Sequence, residues 1–155
     1  MKTTQSAGFT LLELMMVIAL IAVLSLGSWQ GWQRWQQLRQ LNDSAQQIQR
    51  LLLRLRSDAW WHNADRVIWL KPGRYWCLGG GSIPDVCSPQ ARFTLLAPWP
   101  EVSIRSMTAE IGFYGVKNTA RPGNITIASD AGERRILVPS RGRVRISSVS
   151  EEGHR

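Results

Sequence analysis

The chain has 155 residues and a formal net charge of +8 at pH 7, with 19 Lys and Arg against 11 Asp and Glu. Its hydrophobic content of 44 % is typical of a globular chain, which excludes a disordered one. Apart from an N-terminal apolar segment, about 120 residues remain, enough for one compact domain and no more. The basic excess permits nucleic acid or an anionic envelope surface as a partner, and a solvated basic surface is the alternative.

The N-terminal region combines a short polar leader with a long apolar segment. Glu13 is the only charged residue between Phe9 and Leu26. A helix from Phe9 to Ser28 would cover about 30 Å, the hydrocarbon thickness of a bilayer. Because a carboxylate is costly in such a segment, Glu13 is a functional candidate. A secretory signal peptide or a plain anchor is the alternative, but the apolar run is longer than a signal core and an anchor does not explain the carboxylate.

Apolar residues continue beyond this segment in steps of three and four, which predicts a helix that runs on to about Asp58 with one apolar face. They are Trp29, Trp32, Trp35, Leu38, Leu41, Ala45, Ile48, Leu52, Leu55 and Ala59. The three tryptophans fit either the membrane interface or packing against neighbouring subunits. We therefore divide the chain into a leader over residues 1–8, a transmembrane segment over 9–28, an amphipathic continuation over 29–60 and a globular head over 61–155.

After His62 the pattern changes to short strand-like runs separated mostly by turns that contain Pro or Gly. The runs cover residues 67–71, 74–78, 92–97, 102–105, 111–116, 125–128, 134–138 and 144–148. Strands that follow one long helix imply an α+β fold, with one or two antiparallel sheets laid over the end of the helix.

Two cysteines, Cys77 and Cys87, flank a loop rich in Gly and Pro. Outside the cytoplasm an isolated pair of this kind is typical of a disulfide, which would stabilise the fold by about 2–3 kcal/mol. Zinc is not expected, because only His62 and His154 could complete a site and neither has ligand spacing. No catalytic constellation or nucleotide-binding glycine loop stands out either. We expect no enzymatic activity, no cofactor and no small-molecule substrate.

The polar leader that ends in Gly8, then Phe9 and Glu13 at the start of an apolar helix, resembles the signal of type IV pilins and type II secretion pseudopilins. The resemblance implies that a prepilin peptidase cuts between Gly8 and Phe9 and methylates Phe9. It also implies that Glu13 pairs with the terminal amine of a neighbouring subunit. The implied fold is pilin-like, a long curved or kinked helix with a β-rich head. The chain would cross the inner membrane once, with the head in the periplasm.

Segments over residues 58–63, 76–78, 99–102 and 113–120 resemble minor pilins of the GspH/FimT type. That group implies a subunit present in few copies, which primes or caps a type IV pilus together with other minor pilins and the major pilin. The subunit would be at the pilus tip after assembly. A minor pseudopilin of a type II secretion machine is the alternative, and the sequence does not separate the two.

Members of the FimT type have been linked to DNA binding through a basic Gly-Arg-x-Arg element, which this chain has at residues 142–145. In an extended strand, alternation would place Arg141, Arg143 and Arg145 on one face at steps of about 6.6 Å, which suits contacts along a phosphate backbone. A solvated edge strand protected by charge is the alternative. The sequence leaves open whether the chain is a structural subunit, a DNA-uptake receptor or both.

Overall fold

A computed structural model of the protein describes residues 9–148, apart from the side chains of residues 26–28. One helix precedes a series of strands. In chain order the elements are α1 (Leu11–His62), β1 (Arg66–Lys71), β2 (Cys77–Gly80), β3 (Thr94–Leu96), β4 (Ser103–Met107), β5 (Gly112–Tyr114), β6 (Thr119–Arg121), β7 (Gly123–Ser129), β8 (Gly132–Val138) and β9 (Arg145–Ser148). This order confirms the predicted α+β class.

Both ends of α1 have recognisable caps. Thr10 is the N-cap, because its Oγ1 accepts a hydrogen bond of 3.3 Å from the backbone N–H of Glu13, and the two residues have the spacing of a capping box. At the other end Asn63 adopts a left-handed backbone with φ 49°, and the N–H of Ala64 donates to the carbonyl of Ala59 at 3.0 Å. This is a Schellman motif, and it places the end of the helix at His62 rather than near residue 58.

The chain divides into two compact units, residues 1–36 and 37–155. In the described part of the first unit, α1 presents exposed apolar side chains from residue 11 to residue 24. Among the described residues, α1 is the one helix that is long and apolar enough to cross a membrane by length and composition, with a mean hydropathy of 2.3 in its most apolar window. A signal sequence would meet the same criterion.

The second unit has a core of its own. Two antiparallel sheets, ordered β3-β2-β1-β5-β6 and β4-β7-β8-β9, share that core with one face of α1. All of the buried core residues lie between Leu41 and Val144. The largest fully buried side chains are Trp76, Phe113, Leu41, Ile48, Leu51, Leu52, Leu55, Leu78, Ile111, Ile125, Ile127 and Ile136. Since its core is complete within residues 37–148, the second unit does not need the first unit to bury its apolar surface. From here on, the head denotes this second unit, which includes the C-terminal part of α1 as well as the strands.

Each of the eight predicted runs overlaps a strand, but two details differ. The second run, over residues 74–78, is shifted toward β2, which includes Gly79 and Gly80. A Cβ at Gly79 would lie 2.3 Å from the ring of Trp69, and one at Gly80 would lie 2.4 Å from Leu55, so only glycine allows these close approaches. Strand β6 was not among the predicted runs. It has three residues and only Ala120 is buried, so it is too short to show an alternating apolar pattern.

Candidate functional site

The positions expected to guide processing and assembly lie at the start of α1. Gly8 is outside the described residues. Phe9 precedes the helix and its side chain is 79 % exposed. Glu13 is exposed in the first helical turn, where a carboxylate also interacts favourably with the positive end of the helix dipole. Cleavage and methylation at Phe9 and pairing of Glu13 with a neighbouring subunit stay predictions.

The disulfide joins the start of β2 to the loop that follows it. Cys77 and Cys87 are bonded to each other, with their Cα atoms 6.4 Å apart. Cys77 is buried and Cys87 is half-buried. A second fastening comes from β1, because the Nζ of Lys71 donates hydrogen bonds to the carbonyl of Pro84 and, at 2.8 Å, to the carbonyl of Asp85. The loop is therefore held covalently at Cys87 and by an ammonium group two and three residues before it.

The three candidate arginines alternate with buried residues. Arg141, Arg143 and Arg145 are exposed, whereas Gly142 and Val144 are buried. Of the three, only Arg145 lies on a strand, since β9 begins there, so the condition of an extended strand over all three residues is not met. A tight turn precedes the strand. The N–H of Gly142 donates to the carbonyl of Pro139 at 2.7 Å, and Gly142 has a left-handed φ of 70°.

A fourth arginine completes the site. A groove of about 480 Å³ is lined by Arg56, Pro139, Ser140, Arg141, Arg143 and Arg145. We refer to these six residues as the arginine groove. Arg56 comes from α1 and is half-buried against the turn. A Cβ at Gly142 would lie 2.9 Å from the Nε of Arg56, so glycine at this position lets the guanidinium approach the backbone.

Two hydrogen bonds fasten the turn and the residues that follow it. The side-chain amide of Gln49 in α1 donates to the carbonyl of Val144 at 3.2 Å. From the other side, the N–H of Ala120 in β6 donates to the carbonyl of Ser140 at 2.8 Å. The helix and the unpredicted strand β6 thus hold the segment between them, which fixes where its arginines can lie.

The arginine groove carries positive charge, and its lining within the described residues includes no Asp or Glu. Ion pairs seen between described residues include Arg66 with Asp58, Arg105 with Glu133 and Arg121 with Glu110. None of these pairs includes an arginine of the groove. Guanidinium groups offer planar pairs of N–H donors that match phosphate and carboxylate oxygens, so the groove is suited to an anionic ligand.

Sequence reasoning missed Arg56 because 85 positions separate it from Arg141. The sequence does contain one relevant signal. Gln49 and Arg56 are seven residues apart, so they lie on the same face of the helix and can contact the same part of the head. Their neighbours in the folded head, Val144 for Gln49 and the turn at residues 139–142 for Arg56, could be identified only from the tertiary structure. No group of three or more His, Cys, Asp or Glu side chains that could hold a metal ion occurs within the described part of the chain.

Residues 3–29 match the family model described as the prokaryotic N-terminal methylation motif. The fold is similar to that of the type IV minor pilin FimU of Pseudomonas aeruginosa, strain PAO1. Against FimU crystals of space group P21 the TM-score is 0.56, with 14 % identity over 76 % of this chain and 95 % of that chain. Against crystals of space group P65 the TM-score is 0.53, with 15 % identity over 72 % of this chain and 95 % of that chain.

No curated protein matches the chain. The likeness to FimU, at 14 % and 15 % identity, concerns the fold, while the match over residues 3–29 concerns the N-terminal segment. The chain thus combines an N-terminal methylation motif with a fold similar to that of a type IV minor pilin.

Proposed function

We propose that the chain is a minor pilin that helps to assemble a type IV pilus. The observation that carries the proposal is the combination of a methylation motif at residues 3–29 with the pilin fold in one short chain. The exposed apolar side chains of α1 between residues 11 and 24 support insertion into the inner membrane before assembly. A prepilin peptidase would cut between Gly8 and Phe9 and methylate Phe9, leaving the head in the periplasm.

Its role in assembly would be structural rather than enzymatic. We propose that it is a GspH/FimT-type subunit that primes or caps the fibre through contacts with other minor pilins and the major pilin. The tryptophan-rich segments of the head resemble those of one enterobacterial member of the group, prepilin peptidase-dependent protein A. A pseudopilin of a type II secretion machine has the same kind of N-terminus and fold, so it remains the alternative, and the operon that encodes the chain would decide between them.

Glu13 provides the test. In a strain that lacks the chain, Glu13→Ala and Glu13→Gln should be processed normally but fail to restore pili, because neither can pair with an ammonium group in the low dielectric of a fibre core. Leu14→Ala, which keeps the carboxylate, is the matched control and should restore them. Immunoblots report processing, and electron microscopy reports pili. Full piliation with both Glu13 variants would overturn the assembly role, and a defect confined to protein secretion would favour the pseudopilin.

We also propose a second function, contact with DNA through the arginine groove. Four guanidinium groups in a groove whose described lining includes no acid support this proposal, because each can bind a phosphate and release counterions from the nucleic acid. Contacts of this kind position a protein on DNA and read no sequence. A DNA-uptake receptor carried on the pilus would therefore bind weakly and without base preference.

The salt dependence of binding tests this function. Changing Arg143 and Arg145 together to Gln should reduce the slope of log K against log salt by about 1.8, or about 0.9 for each lost contact with duplex DNA. Arg50 and Arg54 are exposed on α1 and do not line the arginine groove, so changing both to Gln is a control with the same loss of charge. If both double variants lost the same affinity for DNA, net charge alone would explain the binding. If the unchanged protein does not bind DNA at low salt, the proposed DNA contact is wrong and only the structural role stands.

A further inference from the structure

Two adjacent tryptophans are exposed at the C-terminal end of α1. Trp60 is 56 % exposed and Trp61 is 74 % exposed, and their ring centroids lie 5.3 Å apart in an edge-on arrangement. The head buries other indoles, since Trp76 is fully buried and Trp69 nearly so. The exposed pair therefore contributes little to the core, although each ring has a large surface available for a ligand.

Trp60 is next to the arginine groove. A second hollow, of about 320 Å³, is lined by Leu53, Arg56, Ser57, Trp60 and Asn118. Arg56 lines both this hollow and the arginine groove. Trp60 lies one helical turn beyond Arg56, about 6 Å along the axis, on the same face of α1. The side chain of Arg56 therefore forms part of the wall of both the arginine groove and the hollow that contains Trp60.

The far side of the hollow is fixed by the turn between β5 and β6. Asn118 has a left-handed φ of 46°, and its N–H donates to the carbonyl of Gly115 at 3.2 Å. A Cβ at Gly115 would lie 2.3 Å from the carbonyl oxygen of Ala59, so the turn lies directly against the end of the helix. The amide of Asn118 can both donate and accept hydrogen bonds beside the indole of Trp60.

We propose that the arginine groove and the hollow at Trp60 together bind single-stranded DNA, with phosphates at the arginines and one unpaired base stacked on Trp60. This inference rests on the proposed contact with DNA and adds the kind of strand that is bound. Bases in a duplex are stacked on each other and present only their edges, whereas an unpaired base can offer its face to an indole. A basic groove that continues into an aromatic platform is the arrangement that proteins use for single strands without sequence preference.

An acidic surface of another pilus subunit is the competing ligand. It would satisfy the arginines, but carboxylates only accept hydrogen bonds, so they offer neither a donor to the amide oxygen of Asn118 nor a flat face to the indole of Trp60. A nucleobase supplies such partners at its edge while its face covers the indole. The mixed lining of the hollow, which is apolar at Leu53 and Trp60 and polar elsewhere, therefore favours the nucleic acid.

The test compares two probes on the full chain in non-ionic detergent. Fluorescence anisotropy follows binding of a labelled thymidine oligomer of about 12 nucleotides and of a duplex of the same length. Trp60→Ala should weaken binding of the single strand by about 5- to 150-fold, the range found when a stacked aromatic is removed, and leave the duplex unchanged. Trp60→Phe should keep most of the affinity. Tyr75→Ala is the matched control, because Tyr75 is a 74 % exposed aromatic that lines neither hollow.

Salt separates the two kinds of contact. Trp60→Ala should leave the salt slope unchanged, whereas Arg143→Gln should reduce the slope by about 0.7 for a single strand. Equal weakening of both probes by Trp60→Ala, or no effect on either, would overturn the stacking inference and leave the DNA contact standing. Failure of both probes to bind the unchanged protein would overturn the contact itself. Loss of pili with Trp60→Ala, at unchanged affinity for both probes, would assign the surface to another subunit and refute the inference.

Discussion

Reduction of the Cys77–Cys87 disulfide measures how much of the stability of the head depends on a closed loop. The two cysteines are separated by 10 positions. In the chain-entropy model, cross-linking a loop of that length removes about 9 cal/mol/K from the unfolded chain, or about 2.7 kcal/mol at 25 °C. Because Lys71 also holds the loop through two backbone carbonyls, we expect the reduced head to keep its native fold and to lose only that increment.

Urea unfolding of the head over residues 37–155, followed by tryptophan fluorescence, gives the free energy of unfolding. With an m-value of about 1–3 kcal/mol/M, a loss of about 2.7 kcal/mol shifts the midpoint by about 1–3 M. The double variant Cys77→Ala, Cys87→Ala should reproduce the shift without reductant. The m-value should stay nearly constant, because the surface exposed on unfolding changes little while the loop keeps its place.

The variant Lys71→Met tests the contribution of the ammonium group, since it keeps an unbranched side chain and removes the two hydrogen bonds to the loop. In the oxidised head its cost should be about 0.5–1.5 kcal/mol for each bond. In the reduced head the cost should be larger, because the ammonium then holds the segment before Cys87 without help from the covalent bond. Equal costs in both states, or a midpoint that reduction leaves unmoved, would refute the reasoning.

Three further predictions concern the processing site and the end of α1. Gly8→Val should leave the leader attached, as the pilin resemblance implies a junction without room for Cβ, and N-terminal sequencing that finds Phe9 in this variant would contradict it. Gly115→Ala should lower the free energy of unfolding by about 1–3 kcal/mol because its Cβ would meet backbone, whereas Gly31→Ala, with nothing within 4 Å, should not. Asp58→Ala should cost about 1–3 kcal/mol in a thermal or urea melt, since this buried carboxylate accepts a hydrogen bond of 2.7 Å from a guanidinium.

The sequence predicts the fold well wherever a periodic pattern covers several residues. The apolar steps of three and four from Leu41 to Ala59 correspond to the buried face of α1, and the helix goes on because its end depends on the backbone of Asn63 rather than on apolar spacing. Strand β6 could not be found in this way. It has three residues, and the partners that order it, in β5 and at Ser140, are remote or irregular in sequence.

The candidate site shows the same limit. Alternation of Arg141, Arg143 and Arg145 with buried residues is local, so the sequence predicts it even though the first two precede β9, with Arg141 in a turn. Arg56 and Trp60 join them only through tertiary packing. Local spacing predicts which side chains share a face, and it does not predict which remote face will be placed against them.

The arginine groove exists only in the folded head, because Arg56 and the turn around Gly142 are brought together by packing. By thermodynamic linkage, any anion that binds there and not to the unfolded chain must raise the free energy of unfolding. At a ligand concentration of about 100 times Kd the gain is about 2.7 kcal/mol, as much as the loop disulfide is expected to contribute. A polyanion could thus restore to a reduced head the stability that it lost, so that occupancy of the groove and the redox state of the loop act on the same equilibrium.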